Sequence, residues 1–472
     1  MFKTILFWPD VYKEQGHWLP TLKWAEDLSK LGYSVKYMGI LDCQGVVDAY
    51  PIKNSNDTLV PIPFSPIFRN IYPLGYTTEC HTSPNERWRP AHIWAIAYSA
   101  LGEDLENYRD KLNKDLFEDA QAFFNLFNEN NQENVKPDLL VSGYFTSLES
   151  LLIHKIYGVK VVISTTYLRH PSEDPAMRAI QNLMAFSPTE YFKLVNLCRY
   201  GNLKQAALAA GEDSVDLLQD PEVEMEEFVS DLETFDELIP CPRDYEYAHY
   251  NPGEKVHYVE PCILDRDLES SASSQWDDNL LNEQYYPNLI FVTAGSQVLD
   301  YEGKARHLFH CMCDAMRSAE LSGYHLVLGV GSKLINDYEW NEFKKQPNIT
   351  FASWVPQRTI LASSNLKFAL IHGGLATIKE CVYNNKKFLI LPLGKDQIDN
   401  ALRLRKYGID NTVPIENISP KILIDAIVNL ESDRKTIQNL NKLSEVFQAE
   451  EVAYHGTQVL LDNLNPPQPS NE

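Results

Sequence analysis

"FALIHGGLATIKECV", residues 368 to 382, changes its hydrophobic period halfway along. Phe368 to Ile371 is an apolar run that reads as a buried strand, and from Leu375 to Val382 the apolar residues recur at helical spacing. His372, Gly373 and Gly374 fill the joint. A strand that turns through glycine straight into a helix is the building step of a parallel sheet. The same joint suggests a phosphate site, because the first turn of a helix leaves backbone N–H groups without intrahelical partners. A tight turn that binds nothing has the same pattern, and these residues alone leave both readings open.

The alternation extends in both directions. "NLIFVTA", "YHLVLGVG", "NITFAS", "KFALIH" and "KFLILPL" read as strands separated by helical stretches. Near the N-terminus, residues 3–7 and 34–38 read as strands around a helix at 19–31. "PDLLVSG" and "VKVVIST" add two strands joined by a helix at about 147–157. The expected organisation is an N-terminal Rossmann-like domain at 1–250 with a helical insertion at about 171–250. A linker at 251–286, a second Rossmann-like domain at 287–455 and a tail at 456–472 follow. Two such domains are expected to face each other across a cleft at the carboxyl ends of their strands.

Composition narrows the partners. Forty-two basic against sixty-five acidic residues give a net charge of −23, so nucleic acid is not expected as a partner. A bound phosphate must then be held locally, by amides and a few side chains. Twelve carboxylates between Gly211 and Glu237 read as a solvated face. The eight cysteines show no paired zinc spacing, which points to a reducing cytoplasm and to no resident metal. The opening "MFKTILFWPD" reads as a first strand, and no apolar stretch is long enough to span a membrane.

Residues 354–400, "WVPQRTILASSNLKFALIHGGLATIKECVYNNKKFLILPLGKDQIDN", carry the chemistry. They contain W-x-PQ, then HGG, a glutamate eight residues after the histidine, and P-x-x-x-DQ with asparagine three further on. This stretch strongly resembles the nucleotide-sugar signature of family 1 glycosyltransferases, the UDP-glycosyltransferases of the GT-B fold. The resemblance implies a fold of two parallel-sheet α/β domains and a UDP-sugar as donor substrate, with no permanently bound cofactor. It implies that Trp354 stacks on uracil while the backbone of Val355 meets the ring edge, and that Gln357 and Glu380 receive ribose hydroxyls. His372, Gly374 and Thr377 resemble the diphosphate contacts, with Ser296 in "VTAGSQ" reaching the same phosphates. Asp396 and Gln397 resemble the pair that holds the donor sugar. Each has a plainer reading too: Trp354 as packing, Ser296 as a turn, "DQ" as a helix cap.

"GHWLPTLKWAEDLSK" resembles the family's N-terminal pattern, which puts His17 on its catalytic base; a histidine capping the first helix is the alternative. Imidazole, with an ordinary pKa of ~6.5, suits removal of a proton from an attacking hydroxyl. The family's partner aspartate falls on Gly143 here, a departure. Asp10 or Glu14 in the loop before His17, or Glu149 beyond Gly143, are the carboxylates available to replace it.

The resemblance therefore implies an inverting transferase moving a sugar, with glucose expected, to a hydroxyl of a small lipophilic acceptor such as a phenolic, macrolide or sterol-like natural product. The alternatives are a sugar-nucleotide-binding accessory protein that has lost catalysis, which Gly143 supports, and a UDP-sugar epimerase or hydrolase.

Overall fold

The computed structural model describes residues 3–10, 15–39, 59–61, 126–127, 137–143, 146–166, 168, 234–248, 252–263, 276–296, 298–394 and 397–465. Tertiary contacts divide the chain into two units. The first comprises Met1–Pro240, His249–Cys262 and Tyr454–Glu472, and the second Cys241–Ala248 and Ile263–Ala453.

In the first unit β1 (Thr4–Trp8), helix α1 (Gln15–Lys30), β2 (Ser34–Gly39), β3 (Leu59–Pro61) and β4 (Leu139–Gly143) follow one another. Helix α2 (Ser147–Tyr157), β5 (Lys160–Ser164), β6 (Asp236–Ile239) and β7 (Val256–Tyr258) complete the sheet. The strands are parallel in the order β3-β2-β1-β4-β5-β6-β7. Residues 5–8 of β1 and all of β4 are buried, which is why these strands read as unbroken apolar runs. Gly158 ends α2 in the left-handed conformation, with φ at 65° and its N–H on the His154 carbonyl at 2.8 Å. From β1 the strand order runs one way to β3 and from β4 the other way to β7, so the switch point lies between β1 and β4.

The second unit contains β8 (Leu289–Thr293), α3 (Glu302–Ala315), β9 (His325–Gly329), β10 (Ile349–Ala352), α4 (Gln357–Ala362), β11 (Leu366–Ile371) and α5 (Leu375–Tyr383). β12 (Lys387–Ile390), α6 (Gln397–Arg405), α7 (Pro420–Ser432) and α8 (Arg434–Glu451) follow. Its five parallel strands run β10-β9-β8-β11-β12, which puts its switch point between β8 and β11. Ile290, Val292, Leu326, Leu328, Phe368 and Leu370 form the centre of a core that α3 and α7 close. Cys241–Ala248 belongs to this unit through fully buried polar bonds. The Tyr245 hydroxyl donates to the Asn400 carbonyl at 2.7 Å, and the Arg403 guanidinium pairs with Glu246 at 2.9 Å.

The last helix, α9 (His455–Leu464), lies in the first unit. Lys3 and Lys160 donate to the Leu464 and Asn463 carbonyls at its C-terminal end, where a helix favours cations. At its other end the fully buried Glu260 carboxylate accepts from Gly456 N–H at 2.9 Å and from Trp24 Nε1 at 2.7 Å.

The division differs from the sequence reading in three places. β6 and β7 fall where a helical insertion and a linker were expected, and α9 occupies most of the expected tail. β7 has three residues and β6 has two apolar residues behind a carboxylate run, so neither carries a period; pairing of β6 to β5 and of β7 to β6 makes them strands. The bulk of the expected insertion, 169–233, lies outside the described residues. Among the described residues no helix is long and apolar enough to cross a membrane.

Candidate active site

Each sheet places a group of chemically active side chains at its own switch point. In the first unit the chain leaves β1 through Pro9 and Asp10, and His17 sits in the first turn of α1. The Asp10 carboxylate bonds to His17 Nδ1. The aspartate side chain is 4% exposed and the imidazole 21%. A carboxylate on Nδ1 keeps the proton of neutral imidazole there and directs the Nε2 lone pair to other work. Of the three carboxylates considered as partners, Asp10 is the one described, and it is bonded to His17. Glu14 lies outside the described residues, as does the side chain of Glu149, whose backbone is in α2.

Gly143 ends β4 directly beside this loop. A Cβ built on it would lie 1.8 Å from the Pro9 carbonyl oxygen and 2.6 Å from its carbon. The missing side chain is thus a requirement of the β1 loop.

In the second unit the joints after β8 and β11 meet around His372. A Cβ on Gly295 would come within 2.6 Å of His372 Cε1 and Nε2, and one on Gly374 within 2.5 Å of Nε2. The imidazole therefore lies between two backbones that only glycine leaves open. Gly295 and Gly373 also have φ of 82° and 93°, where other residues are strained. Gly374, read from the sequence as a diphosphate contact, also makes room for the histidine. It is the N-cap of α5, and Ser296 stands exposed beyond Gly295.

Helices α4 and α5 place Gln357, Thr377 and Glu380 together. Gln357 Nε2 donates to Glu380 Oε2 at 2.5 Å and lies 3.3 Å from the Thr377 hydroxyl. Arg358 Nε stands 3.2 Å from Glu380 Oε1, with the two side chains 12% and 6% exposed. Arg358 escaped the sequence reading; it adjoins Gln357, but only the packing of α4 against α5 gives it a carboxylate. Burial pushes the Cys381 thiol, next to Glu380, well above its usual range, which keeps it neutral. Trp354 and Val355, both half-buried, follow β10.

The loop after β12 is anchored from within. Gln397, read as a sugar contact, is 5% exposed, and its Oε1 accepts from Leu393 N–H at 2.7 Å and Gly394 N–H at 3.1 Å. Lys304 donates to the Leu393 carbonyl at 2.6 Å, and a Cβ on Gly394 would lie 2.4 Å from Tyr301 Cε1. The amide oxygen thus serves the loop that leads to position 396. Asp396 lies outside the described residues.

Residues 289–455 match the family model described as Glycosyltransferase family 28 C-terminal domain. The "Putative UDP-glucuronosyltransferase ugt-50" of Caenorhabditis elegans is 23% identical over 212 residues, 45% of this chain and 38% of that protein. The chain thus spans well under half of that curated relative. Among solved structures, the glycosyltransferase of kitacinnamycin has a TM-score of 0.63 at 17% identity, covering 98% of this chain and 100% of that one. The spinosyn rhamnosyltransferase SpnG, complexed with thymidine diphosphate, has a TM-score of 0.55 at 15% identity over 98% of this chain and 99% of that one. Residues 289–455 are thus similar to a glycosyltransferase domain, and the chain shares the two-sheet GT-B fold of these solved structures.

Proposed function

We propose that the chain is an inverting UDP-sugar-dependent glycosyltransferase acting on a hydroxyl of a small lipophilic acceptor, with glucose as the donor sugar. The observation that carries the proposal is the Asp10 carboxylate on His17 Nδ1. A buried carboxylate on one imidazole nitrogen is the arrangement that makes the other a general base. His17 Nε2 takes the acceptor proton as its oxygen bonds to C1 of the sugar. The bond from C1 to the diphosphate breaks in the same displacement, which inverts the anomeric centre. The α5 N-terminal amides, His372, Thr377 and Ser296 receive the diphosphate charge. Trp354 and Val355 hold the base, Gln357 and Glu380 the ribose, and Asp396 with the remaining amide N–H of Gln397 the sugar.

The choice of uridine rests on Glu380, fixed by Gln357 and Arg358. A ribose 2′-hydroxyl has a partner in such a carboxylate, and thymidine diphosphate lacks that hydroxyl. The test is UDP release from UDP-glucose with and without a mixed set of phenols, macrolides and sterols, in parallel with a thymidine-diphosphate sugar. His17→Ala is expected to lower acceptor-dependent release by roughly 10²–10⁴. UDP-glucose binding without release under any acceptor would favour the accessory-protein reading. A new sugar formed without acceptor would favour an epimerase or hydrolase.

A further inference from the structure

We propose that Gly143 and Thr146 are positioning residues that seat the carboxylate of the His17 pair on the β1 loop, and that this seat excludes an aspartate at the end of β4. The role rests on His17 being the base; the placement itself needs no catalysis.

Two independent observations meet here. The first is steric. The Pro9 carbonyl occupies the space where any side chain at 143 would begin, with 1.8 Å to its oxygen, 2.6 Å to its carbon and 3.2 Å to its Cα. These are backbone atoms of the residue before Asp10, so they cannot swing away without carrying Asp10 off His17. An aspartate at 143 and the present course of Pro9–Asp10 are alternatives.

The second is a chain of buried hydroxyls. Ser150 Oγ donates to Ser142 Oγ at 2.6 Å, and Ser142 and Thr146 Oγ1 are 2.8 Å apart. Thr146 Oγ1 reaches the Trp8 carbonyl at 3.0 Å and the Gly143 carbonyl at 3.1 Å. All three side chains belong to residues 0% exposed. Each hydroxyl has one proton, and the order Ser150 to Ser142 to Thr146 to the Trp8 carbonyl uses each once. Such a run orients every member, because donating a proton makes each oxygen a better acceptor. It ends on the peptide that links β1 to Pro9, two residues before Asp10. The turn from β4 to α2, which in the related pattern would carry the aspartate, here carries the hydroxyl that holds its replacement.

The test follows the His17 ring by NMR in the full-length chain with labelled histidine, assigned through His17→Gln, across neutral pH. It reads the placement of Asp10 without any substrate, so failure of the transferase reading would leave it intact. Asp10→Asn is expected to lower the His17 midpoint, since a carboxylate bonded to the ring favours imidazolium. Gly143→Ala is expected to lower it as much, Thr146→Val by part of that, and Thr146→Ser not at all. His154 and His257 have their own partners, the Val159 carbonyl at 2.7 Å and Asp236 at 2.8 Å, and should keep their midpoints as a check on folding. The proposal is overturned if Thr146→Val or Gly143→Ala leaves the His17 midpoint at the wild-type value. It is equally overturned if the double variant Asp10→Ala/Gly143→Asp restores that midpoint. Should Thr146→Val unfold the chain, Gly143→Ala and the double variant decide the matter by the same criteria.

Discussion

Gly374→Ala tests the proposed placement of His372 on a diphosphate. The new methyl carbon would lie 2.5 Å from His372 Nε2, 3.2 Å from Cε1 and 3.3 Å from Cδ2. The imidazole must shift to make room for it. Gly374 has φ of −61°, a conformation alanine adopts freely, so the change adds no backbone strain. Gly295→Ala would crowd the same ring but adds strain at φ 82°, which makes it the poorer probe. Loss of one hydrogen bond to a charged group costs about 1.5–3 kcal/mol, which is roughly 10- to 150-fold in affinity. Calorimetric titration with UDP and with uridine reads this directly. UDP is expected to weaken by that factor while uridine, which has no diphosphate, binds as before. Unchanged UDP affinity, or equal loss for uridine, would refute the placement of His372 on the phosphates.

Two further outcomes follow from buried charge. Arg358→Gln leaves Glu380 without its cation at 6% side-chain exposure, and chemical unfolding should show a loss of about 3–5 kcal/mol. In a double-mutant cycle Glu380→Gln should return at least ~1 kcal/mol of it, and strict additivity would mean the pair does not interact. His325 is 8% exposed, and burial pushes its pKa down to about 4. Below the ordinary value of ~6.5 the unfolded chain takes up this proton and the folded chain does not, so stability falls as pH drops from there towards 4. The melting temperature should fall less over that window in His325→Gln; an identical fall in both proteins would assign the pH dependence elsewhere.

Much of the second unit was legible because its signals are local. The period change at residue 372 marks β11 and α5, and each of its five strands was read from its own apolar run. The motif from 354 to 400 made Gln357, Thr377 and Glu380 candidates together, and α4 and α5 bring them into contact. What escaped was side-chain direction. Gln397 turns its oxygen into its own loop, Gly374 serves a histidine, and Arg358 finds a carboxylate on another helix.

The sequence by itself determined two sheets of parallel strands, because alternating apolar runs and helical periods can bury their faces in few other ways. It also determined which residue types stand ready at the strand ends. Tertiary structure alone brought Asp10 to His17. Asp10, Glu14 and Glu149 are alike in chemistry, and nothing within seven residues of the chain ranks the first two. Asp10 has the position because β4 lies beside β1, Gly143 leaves space for the Pro9 carbonyl, and Thr146 holds the peptide before it. Gly143 lies more than a hundred residues from Pro9 in sequence, so only the folded sheet places them side by side.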